Sequence, residues 1–133
     1  MPYLMTTTDK ELHRELLDHI SSEETRQAYT FLIDKLSNLP QVTRCAPGIK
    51  GVVKHVLIDI NNLNIFSFIA NRNSLKFYFR LVHRNPYTNK IGVLRNAGFE
   101  FDPIPNSKRE ERLSIHNLTD AKNLVRIVFG KGD

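Results

Sequence analysis

The stretch from Ser74 to Arg84, SLKFYFRLVHR, sets cationic side chains among aromatic ones at a spacing of two. In an extended strand, alternate side chains share a face. Leu75, Phe77, Phe79, Leu81 and His83 then lie on one side, and Lys76, Tyr78, Arg80, Val82 and Arg84 on the other. The first set is a core face. The second joins a phenol ring to three permanent cations. Single-stranded nucleic acid favours that mixture, because bases stack on rings while cations follow phosphates. With Lys54 and Arg72 from neighbouring segments, the candidate nucleic-acid-binding residues are Lys54, Arg72, Lys76, Tyr78, Arg80 and Arg84. A plainer account competes with this one. A half-solvated antiparallel sheet always has a polar back, and Lys or Arg on it also suppresses edge-to-edge pairing. The neighbouring NIFSFIA segment brings no aromatic side chain to a matching face, and the paired aromatic strands of an RNA-recognition motif are absent.

The charge distribution sharpens the question. The chain carries a net +5 over 133 residues. Residues 41–99 hold nine Lys/Arg against one acid, Asp59, whereas residues 1–40 hold four against seven and residues 100–133 six of each. The excess positive charge lies in the middle of the chain. There it is expected to form one surface patch that attracts polyanions, single-stranded DNA or RNA or an acidic protein partner.

Most catalytic chemistries lack their residues. No G-x-x-x-x-G-K-[ST], G-x-S-x-G or G-x-G-x-x-G occurs, and no His, Cys, Asp and Glu set has the spacing of a zinc or iron site, so neither a cofactor nor a metal is expected. A metal-dependent nuclease needs several carboxylates around its ions, and residues 41–99 supply only Asp59. A metal-independent ribonuclease stays open, with Arg80, His83 and Arg84 as its first candidates. His55, His83 and His116 all fall in expected strands, and whether they converge is not legible. Cys45 is the single cysteine, so no internal disulfide forms. Its neighbour Arg44 would favour a thiolate, against the commoner reading of an inert buried thiol.

These side chains need elements to hold them. TDKELHRELLDHI (8–20) reads as a helix, with a Thr8/Glu11 capping box and Leu12, Leu16 and Ile20 on one face. A second helix from Ser21, boxed with Glu24, carries Ala28, Phe31, Leu32, Leu36 and Leu39 at helical period and stops at Pro40. VVKHVLIDI, NIFSFIA and SLKFYFRLVHR are rich in β-branched and aromatic residues and divided by the Asn-rich turns INNLN and NRNS, which reads as three consecutive antiparallel strands. A short helix in NPYTNKIGVLRNAGF follows, with Gly98 just past its end. Then come a proline-bearing loop, FDPIPNSKREE, a short strand in RLSIHN, and a helix capped by Asn117 and ended by Gly130.

The order is α-α-β-β-β-α-β-α. It gives one α+β domain over residues 1–133: two N-terminal helices, a mainly antiparallel sheet of about four strands, and a C-terminal helix packed on one face. Leu32, Leu36, Ile58, Phe77, Phe79, Leu81, Leu124 and Val128 are the expected core.

The segments YTFLIDKL, NIFSFIANRNSLKFYFRL and ERLSIHNLTDAKNLVRIVFG, spread over roughly residues 28–130, resemble small uncharacterised α+β domains. Those domains are labelled predicted transport proteins and occur alone or beside bacterial restriction and DNA-processing modules. The resemblance implies a bacterial or phage protein near nucleic-acid metabolism and carries no catalytic residue. Without a run long and apolar enough to span a bilayer or a visible secretory signal, a cytoplasmic location with no membrane partner is expected. The composition allows a homo-oligomer. The expected function is a non-enzymatic nucleic-acid-binding or nucleic-acid-associated module using the basic and aromatic face. The alternatives are a protein-interaction or adaptor domain with an acidic partner and, third, the metal-independent ribonuclease.

Overall fold

The computed structural model describes residues 3–81, 85–102 and 110–130. In chain order the elements are α1 (Thr7–His19), α2 (Glu23–Ser37), β1 (Val42–Lys50), β2 (Val53–Ile60), β3 (Leu63–Ala70), β4 (Leu75–Arg80), α3 (Lys90–Asn96), β5 (Phe101–Asp102), β6 (Glu110–Ile115) and α4 (Leu118–Phe129). The strands form one six-stranded sheet in the order β1-β2-β3-β4-β6-β5, antiparallel at every pairing. The α+β class and the antiparallel sheet are as expected, but the described residues form six strands rather than about four.

Both added strands are edges. β1 contains Pro47 and Gly48, which weaken a central-strand pattern but are tolerated where one side makes no ladder bonds. β5 is two residues long and lies in what the sequence presents as the loop FDPIPNSKREE. That loop also loses Glu110 and Glu111 to β6.

Two tight turns explain why β1 to β3 run as a meander. Lys50 pairs with Val53 across Gly51 (φ +64°) and Val52, and Ile60 pairs with Leu63 across Asn61 and Asn62. Asn61 and Asn62 take φ of 50° and 69°, the left-handed pair that a type I′ hairpin turn requires and that Asn tolerates best among side-chain-bearing residues. Between Ile58 and Asp59 the register slips opposite Phe66 and Asn64, so Ile65 is the extra residue of a bulge. Both Ile65 and Phe66 are buried there, and the Asn64 amide ties the bulge by donating to the Ile58 carbonyl and the Asp59 carboxylate.

One sheet face carries the core. Val56, Ile58, Phe66, Phe68, Leu75, Phe77, Phe79, Leu113 and Ile115 are buried from the strands, and Leu32, Leu36, Leu124, Val125 and Val128 from the helices. Phe66 sits at its aromatic centre, 5.1 Å from Phe79 and 5.3 Å from Tyr87 between ring centroids. Of the expected core only Leu81, just past the end of β4, is partly exposed. On the other face His55, Leu57, Asp59, Ser67, Ile69, Lys76 and Tyr78 are half-buried, and among the described residues no helix-borne core forms over them.

Two helix starts, those of α1 and α2, lie near but not at their expected caps. α1 is capped by Thr6 with Asp9, not by Thr8 with Glu11: Asp9 N–H donates to Thr6 Oγ1 at 3.0 Å, and Thr6 N–H to the Asp9 carboxylate at 3.1 Å. α2 is capped by Ser22, which accepts from Thr25 N–H, rather than by Ser21. In each case adjacent Ser or Thr residues stand side by side, so the sequence offers more than one side chain able to cap the helix. Asn117 caps α4 and Gly130 ends it at φ +67°, as expected.

Candidate nucleic-acid interface

The ladder fixes which side chains meet. Lys76 stands between Ile69 of β3 and Ser114 of β6, and Tyr78 between Ser67 and Arg112. One strand further out, Asp102 of β5 stands opposite Arg112. All of these point to the half-buried face, because their neighbours Phe77 and Leu113 fill the core.

The result is a compact charged cluster around one carboxylate. Lys76 Nζ donates to Asp102 Oδ2 at 2.5 Å and to Ser114 Oγ at 2.6 Å. Arg112 Nε lies 3.6 Å from the same Asp102 oxygen. Arg112 Nη1 also donates to the Tyr78 hydroxyl at 3.2 Å, and its guanidinium carbon lies 5.7 Å from the centre of that ring. The hydrogen bond from Lys76, with the two nearby cations, holds the Asp102 carboxyl below its usual range. The hydrogen bond to Tyr78, with the charge of Asp102, keeps Arg112 firmly protonated.

Beside this cluster, where β2 and β4 begin, is a depression of about 450 Å³ lined by Lys54, Lys76, Tyr78, Arg112, Asp102 and His19. Three cations thus face one carboxylate. The field extends past the rim: burial, then the charges of Lys54 and Arg72, lower the His19 imidazole below its usual value. Arg72 sits at the tip of the β3–β4 hairpin, and its carbonyl accepts from Ser21 N–H at 2.7 Å and Ser22 N–H at 3.1 Å. That docking of hairpin tip on helix junction brings His19, at the end of α1, to the basic end of the sheet.

Of the six candidates, Lys54, Lys76 and Tyr78 line the depression, and Arg72 reaches it through its effect on His19. Arg80 is exposed towards the other end of β4, where Nη1 donates to the Asn64 carbonyl at 3.1 Å. Four residues of strand separate it from Lys76, about 13 Å along the chain. Arg84, with His83, lies outside the described residues. The expectation of one patch from the 41–99 cations needs correction. Arg44 pairs with Asp59 at 2.8 Å, and Arg95 pairs with Glu111 at 3.2 Å while lying 4.6 Å over the Phe101 ring. Sequence reasoning missed Arg112, Asp102 and His19. Arg112 had a signal, since it opens an expected strand, but Asp102 sits in a segment whose prolines read as loop.

The remaining chemical candidates do not assemble. Cys45 is fully buried, and burial, with the Asp9 charge, pushes its thiol to about 12, so Arg44 does not make it a nucleophile. His55 on β2 and His116 beyond β6 belong to strands three places apart in the sheet, a separation of about 14 Å. No group of three His, Cys, Asp or Glu among the described residues is placed to hold a metal ion. Nor is any helix among them long and apolar enough to cross a membrane.

No family model, curated protein or solved structure matches the chain.

Proposed function

We propose that the protein is a non-enzymatic nucleic-acid-binding module whose working surface is the basic depression at the end of the half-buried sheet face. One observation carries this reading: Lys54, Lys76 and Arg112 converge beside a tyrosine ring and against a single carboxylate. Cations so placed neutralise backbone phosphates, and the ring supplies a stacking surface that is indifferent to base identity. Arg72 lengthens the positive track towards the hairpin tip, and Arg80 continues it along β4. The expected ligand is therefore a flexible single strand, held without sequence preference, at about 10⁻⁴–10⁻⁶ M in physiological salt.

Titration of a fluorescent twelve-nucleotide oligomer at several salt concentrations tests this. The logarithm of affinity should fall steeply and linearly with the logarithm of salt. Replacing Lys54 and Arg72 together with glutamine removes two cations of the track while leaving the Lys76–Asp102 pair in place. That change should flatten the slope by about 1.4, since each single-strand phosphate contact contributes about 0.7. No binding by the parent protein even at low salt refutes the reading, and preferential binding of a polyglutamate peptide hands the surface to an acidic protein partner.

A further inference from the structure

One member of the basic depression is of a type that changes charge near neutral pH. His19, the last residue of α1, lines the depression together with Lys54, Lys76, Tyr78 and Arg112. Its neighbours fix its place. Ile20 is buried in the core, and the Arg72 carbonyl accepts from Ser21 N–H and Ser22 N–H, which holds the end of α1 against the β3–β4 hairpin tip. Among the described residues the imidazole makes no hydrogen bond or ion pair.

The charges around it are mostly of one sign. β2 brings Lys54, the hairpin tip Arg72, β4 Lys76 and Tyr78, and β6 Arg112. β5 brings the one carboxylate of the depression, Asp102, which Lys76 and Arg112 already share. Glu15 and Asp18 on α1, and Glu23 and Glu24 at the start of α2, are exposed to solvent, whose high dielectric constant weakens their pull on the ring. Burial, then the charges of Lys54 and Arg72, hold the imidazole below its usual value, so at pH 7 the empty protein carries it neutral. A phosphate in the depression reverses the balance. It offsets the cations that oppose protonation and offers the ring N–H a charged acceptor.

We propose that His19 is a further phosphate-binding residue of this site, acting through a proton taken from solvent on association, so that the strand is held more tightly as pH falls. The inference rests on the nucleic-acid reading of the depression. Its sign follows from linkage: the bound state holds the proton more firmly than the empty one, so lower pH favours the bound state. The gain begins as pH falls through the midpoint of the bound protein and levels off below that of the empty one. Lys54, Arg72, Lys76 and Arg112 keep their charge over this range, and Asp102, held below its usual range, stays ionised.

A fluorescent twelve-nucleotide oligothymidylate, whose bases do not titrate in this range, tests the proposal on the intact chain between pH 8 and pH 5.5 at fixed ionic strength. Affinity should rise roughly fourfold, the effect of one unit charge at about 4–5 Å in water. The salt slope should be steeper at the lower pH by about 0.7, one further single-strand contact. His19→Gln should remove both changes, and His19→Lys should bind at pH 8 about as tightly as the parent does at pH 5.5. Ring spectra of the parent should show the His19 midpoint move up when the oligomer is added. In the oligomer-free double variant Lys54→Gln, Arg72→Gln the same midpoint should also move up. Binding that is independent of pH, or that keeps its pH dependence in His19→Gln, overturns this inference and leaves the nucleic-acid reading standing. So does a His19 midpoint that neither the oligomer nor the double variant moves. No binding at any pH overturns both.

Discussion

Replacing Asp102 with asparagine probes the basic depression more directly than deleting any cation. In the parent protein this carboxylate accepts from Lys76 at 2.5 Å and lies 3.6 Å from Arg112 Nε. A phosphate must share both cations with it. The Asp102→Asn amide keeps the shape and removes the charge, so the three cations lining the depression lose the one carboxylate among them. A unit charge about 4 Å away contributes about 1 kcal/mol even at the dielectric constant of water, which is roughly fivefold in affinity. One further phosphate contact should steepen the salt slope by about 0.7 for a single strand. The cost in stability is small: both side chains of the Lys76–Asp102 pair keep about a quarter of their surface in water, and such pairs contribute about 1 kcal/mol or less.

The assay is oligonucleotide binding across a salt series, with thermal unfolding of both proteins alongside. Tighter binding with a steeper slope and nearly unchanged stability is the expected result. Unchanged affinity and slope in a folded variant would refute the reasoning, because Lys76 and Arg112 would then not face the phosphates. Weaker binding would refute it differently, by showing that Asp102 positions the two cations rather than competing for them.

Two further outcomes follow from the core and from titration. Phe79 is fully buried with its ring 5.1 Å from Phe66 and 5.6 Å from Phe77, so Phe79→Ala should cost about 3–5 kcal/mol in denaturant unfolding; a variant as stable as the parent means that Tyr78, not Phe79, faces inward. Burial lowers His13 below 6.5 in the folded protein despite the opposing charge of Asp9, so the unfolded chain binds the extra proton first. The stability that neutral His13 contributes is present above pH 6.5 and lost as pH falls through the lowered folded value; His13→Gln should show a flatter decline in melting temperature between pH 7.5 and 5.5, and parallel declines would refute the assignment.

The sequence made some elements legible because they state their own period. Leu32, Leu36, Leu124 and Val128 repeat at helical spacing, and Phe77 and Phe79 alternate with Lys76 and Tyr78, so both the helices and the two faces of β4 could be read locally. The turns at Asn61–Asn62 and Gly51 likewise advertise left-handed backbone. What stayed hidden is non-local. β1 is a strand because β2 offers it a ladder, in spite of Pro47 and Gly48, and β5 is held by only two residues of pairing with β6. Neither pairing leaves a periodic trace in its own segment. The site shared this fate: Lys76, Tyr78 and Arg80 were legible as one strand face, whereas Asp102 and Arg112 join them only through a chain reversal about 25–35 residues downstream.

That reversal explains why the charged cluster needs no separate means of assembly. After β4 the chain passes through α3, lays β5 on the far edge, and returns with β6 between β5 and β4. The register of β6 is set by Leu113 and Ile115, which are fully buried opposite Phe77 and Leu75. With a side-chain period of two, a slip of one residue would bury Arg112 and Ser114 and expose both apolar side chains. Moving a guanidinium into that apolar core costs far more than any hydrogen bond the slip would save. The core therefore dictates that Arg112 and Ser114 face outward beside Tyr78 and Lys76. Asp102, paired with Arg112 across the last ladder, is carried to the same place. The packing of the opposite face thus fixes the side of the sheet on which these groups lie, and a substitution that loosens Leu113 should disturb the cluster before any of its charged members is touched.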